Sequence, residues 1–156
     1  MTLHDATVLI TGGSGFLGSH LARRAAALGA CVHLLIRQGS ALDRLGDMQP
    51  VPDCTRLELD DTAALCACLR NVRPDIVYLA AGSTSDRGRE ATAERAADRG
   101  YHFNVVGTWR MLHAISLEAP AARVIRTGSL AEYGAGLLPF RESQREQPTS
   151  LYAASQ

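Results

Sequence analysis

The chain has 156 residues, 46% of them hydrophobic and 21% charged, which is enough for one ordinary domain with a real core and excludes a disordered tail. Lys and Arg total 16 against 16 Asp and Glu, so no global charge draws the chain to nucleic acid or to an anionic membrane, and affinity has to come from a local site. There is no secretory leader at the start and no apolar run near eighteen residues; together with four cysteines that lack paired metal-ligand spacing, this points to reduced thiols in a cytoplasm and to no metal centre.

Short apolar runs alternate with longer segments of helical period. Thr7 to Thr11 (TVLIT) reads as a buried strand and Phe16 to Leu28 as a helix with Leu17, Leu21 and Leu28 on one face. Cys31 to Ile36 is the next strand, Arg56 to Leu59 a short third, Thr62 to Arg70 a helix and Asp75 to Leu79 (DIVYL) a fourth strand. Glu90 to Leu117 reads as one long helix with an interruption expected near Gly100, and Arg123 to Thr127 as a fifth strand. Apolar strands alternating with helices predict a doubly wound α/β domain with a parallel sheet of about five strands. The long loop Gly134 to Pro148 is expected to be functional or mobile. Cys31, Cys54, Cys66 and Cys68 are expected as small buried hydrophobes, and the five histidines as surface or packing residues.

The strongest local signal is TGGSGFLGSHL, Thr11 to Leu21, where a strand turns into a helix. Gly12 permits a tight turn, Gly15 lets backbone approach a pyrophosphate, and Gly18 lets helix pack closely on strand. The first helical amides, at Phe16 and Leu17, then face an anion together with the positive end of the helix dipole. Where the second strand ends, an NAD site usually carries an acid for the ribose 2′-hydroxyl; this chain has Arg37, whose guanidinium suits a 2′-phosphate and favours NADP over NAD.

Taken with DIVYLAAG, NVVGT, GSLAEYG and SLYAAS, the glycine run resembles the extended short-chain dehydrogenase/reductases, in particular the NAD(P)-dependent nucleotide-sugar epimerases, dehydratases and ketoreductases. The resemblance runs from residue 7 to residue 156, corresponds to the first half of a family member without the later substrate half, and implies a Rossmann-like sheet in the order 3-2-1-4-5, with residues 1–156 as one dinucleotide-binding domain. It implies that Glu58 contacts the adenine amino group with the Leu59 backbone beside it (Asp60 if the match slips), that Ala80, Ala81 and Gly82 pass under the ribose and pyrophosphate, and that Thr127 closes the cofactor edge at the end of the fifth strand. Asn104 matches a helix asparagine that braces the site, although an Asn capping a break in that helix is an equal reading.

The resemblance also implies that the Ser129 hydroxyl binds the reacting sugar oxygen and that Tyr152 acts as acid/base while hydride moves to or from the nicotinamide C4. Leu130 and Ala131 stand where dehydratases of the family carry Asp-Glu, which favours a ketoreductase or 4-epimerase. Gln156 stands where the family has the lysine that lowers the phenol pKa from its free value of about 10, so turnover is expected to be impaired. The sequence stops as the Tyr152 helix begins, and a fragment of a longer chain is expected. A nucleotide-sugar substrate and a homo-oligomer are implied as partners; a non-catalytic dinucleotide-binding module is the alternative.

Overall fold

The computed structural model describes residues 3–83, 93–136 and 138–156. The start of the helix expected from Glu90, and the first half of the charged stretch from Asp86 to Arg99, lie outside the described residues. Two compact units emerge, one formed by Met1–Ala81 and Gly107–Thr127, the other by Gly82–Val106 and Gly128–Gln156.

The first unit holds β1 (Thr7–Thr11), α1 (Phe16–Ala27), β2 (Cys31–Ile36), β3 (Asp53–Arg56), α2 (Thr62–Val72), β4 (Ile76–Leu79), α4 (Thr108–Glu118) and β5 (Arg123–Arg126). The second holds α3 (Ala93–Gly100), a π-helical stretch over Tyr101–Gly107 that runs on to the unit boundary, a short helical turn over Leu130–Tyr133 and α5 (Leu151–Ala154). All five strands are parallel, in the order β3-β2-β1-β4-β5, the doubly wound arrangement expected from the sequence.

Alternation along β1 explains how one sheet serves two cores. Leu9 points into a cluster with α2 and α4 side chains such as Leu65, Leu69 and Met111. Val8 and Ile10 point the other way, into a cluster with Ala22 and Ala25 of α1. All three are fully buried, each stabilising the fold by about 1.5–3 kcal/mol over an exposed position. The edge strands differ. β3 and β5 leave most residues exposed, so the expectation of strands covered throughout holds only for the three central ones.

Four further expectations change. The buried face of α1 consists of Gly18, Ser19, Ala22 and Ala25, whereas Leu17 and Leu28 are exposed and Leu21 is half-buried. Small residues set the phase because the helix lies too close to β1 for leucines. The third strand begins earlier than its apolar residues suggested: register with β2 pairs His33 with Asp53 and Ile36 with Arg56, and Leu57 adds one more bond to the Ile36 carbonyl before the chain turns. Of the cysteines only Cys68 is buried; Cys31 and Cys54 are exposed because one opens β2 and the other lies on the edge strand. The long helix expected over Glu90 to Leu117 is three successive segments, with the π-helical stretch following Gly100.

Candidate functional site

In the first unit the turn from β1 to α1 is shaped by what cannot fit there. Gly12 has φ +67°, a left-handed conformation disfavoured for any residue with a Cβ, and a Cβ built on it would lie 2.9 Å from the Ala81 Cα. A Cβ on Gly18 would strike the Gly12 carbonyl. Gly15 is exposed and caps α1 with no side chain over the helix end. The amides of Phe16 and Leu17 therefore open the helix without an intrahelical acceptor, the standard condition of a first turn and one that suits an anion.

Thr11, not assigned a role from the sequence, ties this turn to the end of β4. The residue is 2% exposed, and its hydroxyl accepts the amides of Ala80 at 3.1 Å and Ala81 at 3.0 Å. Gly12 N–H donates to the Leu35 carbonyl at 2.9 Å, so strands β1, β2 and β4 end together at the glycine turn. Thr127 reaches back to β4 through its amide and hydroxyl, both donating to the Leu79 carbonyl. Arg37 is exposed one residue past β2. Glu58 and Leu59, half-buried, follow the last residue of β3 by two and three positions, so the earlier start of that strand leaves them at its C-terminal end. Ligands of open parallel sheets bind at such ends.

The second unit is organised by side-chain hydrogen bonds. Asn104, buried within the π-helical stretch, accepts the Ser83 amide at 2.8 Å on Oδ1, while its Nδ2 donates to the Ser83 carbonyl at 3.0 Å and to Ser155 Oγ at 2.9 Å. Gly82 packs beside it, with room for a Cβ at 3.5 Å from Oδ1. Every polar atom of this amide is engaged in bracing, and the helix break is not capped by it. Ser155 in turn donates to the Tyr152 carbonyl at 2.7 Å. Asn104 is thus linked through Ser155 to the turn that carries Tyr152, a half-exposed side chain.

Ser129 caps the Leu130–Tyr133 turn: its hydroxyl accepts the Ala131 amide at 3.2 Å and its own amide donates to Glu132 Oε1 at 2.6 Å, a reciprocal capping box. With an acceptor site used, the hydroxyl still has a proton to donate. The S-x-x-E spacing that announces this cap was present in the sequence. Glu132 is consequently a structural carboxylate here. Tyr133 stacks on Phe140 at 5.2 Å, a packing contact, and the Leu130–Tyr133 turn packs against α5. Among the described residues no cluster of His, Cys, Asp and Glu could hold a metal ion, and no helix is long and apolar enough to cross a membrane.

The glycine turn, the strand order and the sequence agree with one family. Residues 8–156 match the NAD dependent epimerase/dehydratase family, and the chain belongs to it. It is 35% identical over 144 residues to dTDP-6-deoxy-L-talose 4-dehydrogenase (NAD(P)(+)) of Kitasatospora kifunensis, covering 90% of this chain and 40% of that protein. It is 29% identical to a probable UDP-glucuronate 4-epimerase of Rhizobium meliloti strain 1021, covering 94% and 45%. Among solved structures, UDP-glucose 4-epimerase from Brucella ovis in complex with NAD superposes with a TM-score of 0.79 at 26% identity, over 95% of this chain and 43% of that one. The chain therefore spans under half the length of the relatives it matches.

Proposed function

We propose that this chain is the NAD(P)-binding part of a nucleotide-sugar 4-epimerase or ketoreductase. The observation that carries the proposal is the turn at Gly12 and Gly18, where added Cβ atoms would meet backbone. A loop stripped of side chains at the open end of a helix suits a diphosphate bridge, the feature that dinucleotides share. In this reading Phe16 and Leu17 offer amides to the pyrophosphate, Ala80 to Gly82 give it close approach, Asn104 and Thr127 support the cofactor edge, and Glu58 with Leu59 meets the adenine. Arg37 takes a 2′-phosphate, which makes NADP the preferred coenzyme. The relative from Kitasatospora kifunensis is named for NAD(P)+ and the Brucella ovis structure holds NAD; the preference for NADP rests on Arg37 alone.

The bound nicotinamide would supply hydride transfer at its C4. The Tyr152 hydroxyl would exchange a proton with the sugar oxygen, and the Ser129 hydroxyl, already fixed as an acceptor by the Ala131 amide, would donate its proton to the same oxygen and orient it. The two relatives named above, from Kitasatospora kifunensis and Rhizobium meliloti, are both named for reaction at position 4 of a sugar. Elimination of water is disfavoured: Leu130 and Ala131 carry no acid or base, and the nearest carboxylate, Glu132, is held on the Ser129 amide. The proposed setting is the cytoplasm, supported by four cysteines that are all free, and self-association into a homo-oligomer is part of the same reading.

A second reading, a dinucleotide-binding module without turnover, is favoured by one residue. Gln156 brings an uncharged amide where the resemblance expects a lysine, and a neutral group does not stabilise a phenolate. Titrating the chain with NADH and NADPH by fluorescence, then adding dTDP- and UDP-sugars while following absorbance of the reduced coenzyme, separates the two. Binding with hydride transfer that Tyr152→Phe abolishes supports the enzyme; binding without any transfer supports the module. Absence of coenzyme binding by folded protein overturns both.

A further inference from the structure

The ends of β2 and β3 interlock through groups that the glycine turn does not use. Ser40 N–H donates to the Arg37 carbonyl at 3.2 Å and closes a tight turn over Arg37–Ser40, with Gly39 at φ +69°. Arg56, the last residue of β3 and the register partner of Ile36, reaches across: its Nη1 donates to the Ser40 carbonyl at 2.8 Å. Gln38 answers in the opposite sense, its Nε2 donating to the Arg56 carbonyl at 3.1 Å. The two arginines thus belong to one small assembly at the C-terminal ends of adjacent parallel strands. Both are exposed.

We propose that Arg56 is a second residue that determines coenzyme specificity, acting with Arg37 on a phosphate ester at the ribose 2′-oxygen. This rests on the dinucleotide reading above. A guanidinium has five N–H donors in a rigid fork, and the Ser40 carbonyl takes one of them, so a planar array of donors stays available to an anion. A brace for the turn alone needs one neutral donor, which the Gln38 amide already supplies from the other side. One guanidinium carried by the turn and a second tied to it through the Ser40 carbonyl suit a dianionic phosphate better than a diol, whose hydroxyls seek an acceptor such as a carboxylate. Arg56 has two effects in this assignment: it fixes the turn that carries Arg37, and it adds positive charge beside it.

The 156-residue chain is titrated with NADPH and with NADH as wild type, Arg56→Ala, Arg56→Lys and Gln38→Ala, at low and at moderate salt. Arg56→Ala is expected to weaken NADPH about tenfold while NADH stays within about twofold, the loss of one charge-assisted contact. Lys at this position recovers part of the preference, because charge without the fork serves a phosphate less well, and added salt erodes the preference in the wild type. Gln38→Ala, which removes a brace and no charge, is expected to affect the two coenzymes equally. NADH binding by each variant reports that it is folded. Equal weakening of both coenzymes by Arg56→Ala, or no change in either, overturns the assignment. A wild type that binds both without favouring NADPH also overturns it while leaving the dinucleotide reading standing, whereas a wild type that binds neither removes both.

Discussion

The glycine turn of the first unit and the Ser129–Gln156 segment of the second solve the same problem, that of holding backbone still, by opposite means. At Thr11–Gly18 the chain is held chiefly by exclusion: Gly12 and Gly18 occupy places where a Cβ would meet the Ala81 backbone or the Gly12 carbonyl, with the Thr11 hydroxyl on the Ala80 and Ala81 amides and the Ser19 hydroxyl on the Phe16 carbonyl added to it. Around Ser129 and Tyr152 the chain is held by addition, through Ser129 and Glu132 in a capping box, Ser150 on the Ala153 amide, and Ser155 linking Tyr152 to Asn104. Steric exclusion involves no titrating group. Hydrogen-bonded caps contribute about 1 kcal/mol apiece and can be lost one at a time. In the reading proposed above, a surface for a diphosphate would benefit from the first, and side chains that exchange protons from the adjustability of the second.

That contrast is broken most directly at Gly12. Gly12→Ala imposes a left-handed φ on a residue with a Cβ and drives that Cβ onto the Ala81 backbone, so a loss of about 3–4 kcal/mol in unfolding free energy is expected, with coenzyme binding abolished in whatever fraction folds. Chemical denaturation followed by circular dichroism measures it. A stability within about 0.5 kcal/mol of wild type, the range of an ordinary surface substitution, shows that the turn is not built by exclusion.

In the second unit the largest expected effect belongs to Asn104. Asn104→Ala leaves the Ser83 amide and carbonyl and the Ser155 hydroxyl without their shared partner, and an expected cost of about 2–3 kcal/mol follows from the buried groups left unsatisfied. Asn104→Asp sharpens the comparison. It keeps the acceptor for the Ser83 amide but turns the Nδ2 donor into a carboxylate oxygen facing the Ser83 carbonyl, so it is expected to recover little. Thermal unfolding of the three proteins ranks them, and an Asp variant as stable as wild type shows that the two donated bonds contribute nothing.

Most of the first unit was legible in the sequence because its causes are local and periodic. Gly12, Gly15 and Gly18 announce a turn of backbone, and the boundaries of β1 and β2 follow from apolar runs bounded by small residues. What was not legible depended on distant partners. β3 was displaced because pairing with β2, not the apolarity of Leu57 and Leu59, decides which residues form the ladder. The phase of α1 was displaced because closeness to Gly12 rewards Ala22 and Ala25 over the leucines. Arg56 carried no motif at all; its link to Ser40 spans 16 positions and exists only once β2 and β3 are side by side. In the second unit the local caps at Ser129 and Ser150 could be read from spacing, whereas the triple engagement of Asn104 with Ser83 and Ser155, the latter 51 positions away, could not.

The smallest expected effect tests the first unit for the sensitivity to conditions that its glycine turn lacks. His33 on β2 is half-buried, its Nε2 2.8 Å from the Thr55 hydroxyl of β3, and desolvation pushes its pKa below the ordinary 6.5 while the Asp53 carboxylate pulls weakly the other way. A group whose pKa is depressed by folding takes up a proton in the unfolded chain first, so its contribution to stability is complete above pH 6.5 and is lost progressively as pH falls below it toward the folded value. The carboxylates held low by their guanidinium partners, Asp47 by Arg23 and Glu118 by Arg70, lose their contributions only in stronger acid, below their ordinary values of 3.8 and 4.5. The interval between about pH 5 and pH 6.5 therefore isolates the histidine from these two carboxylates. Wild-type melting temperature is expected to decline gently across it, and His33→Gln, which keeps a donor for Thr55 and removes the titration, is expected to flatten the slope. A slope unchanged by that substitution places the titrating group elsewhere and leaves the β2–β3 edge as indifferent to pH as the glycine turn.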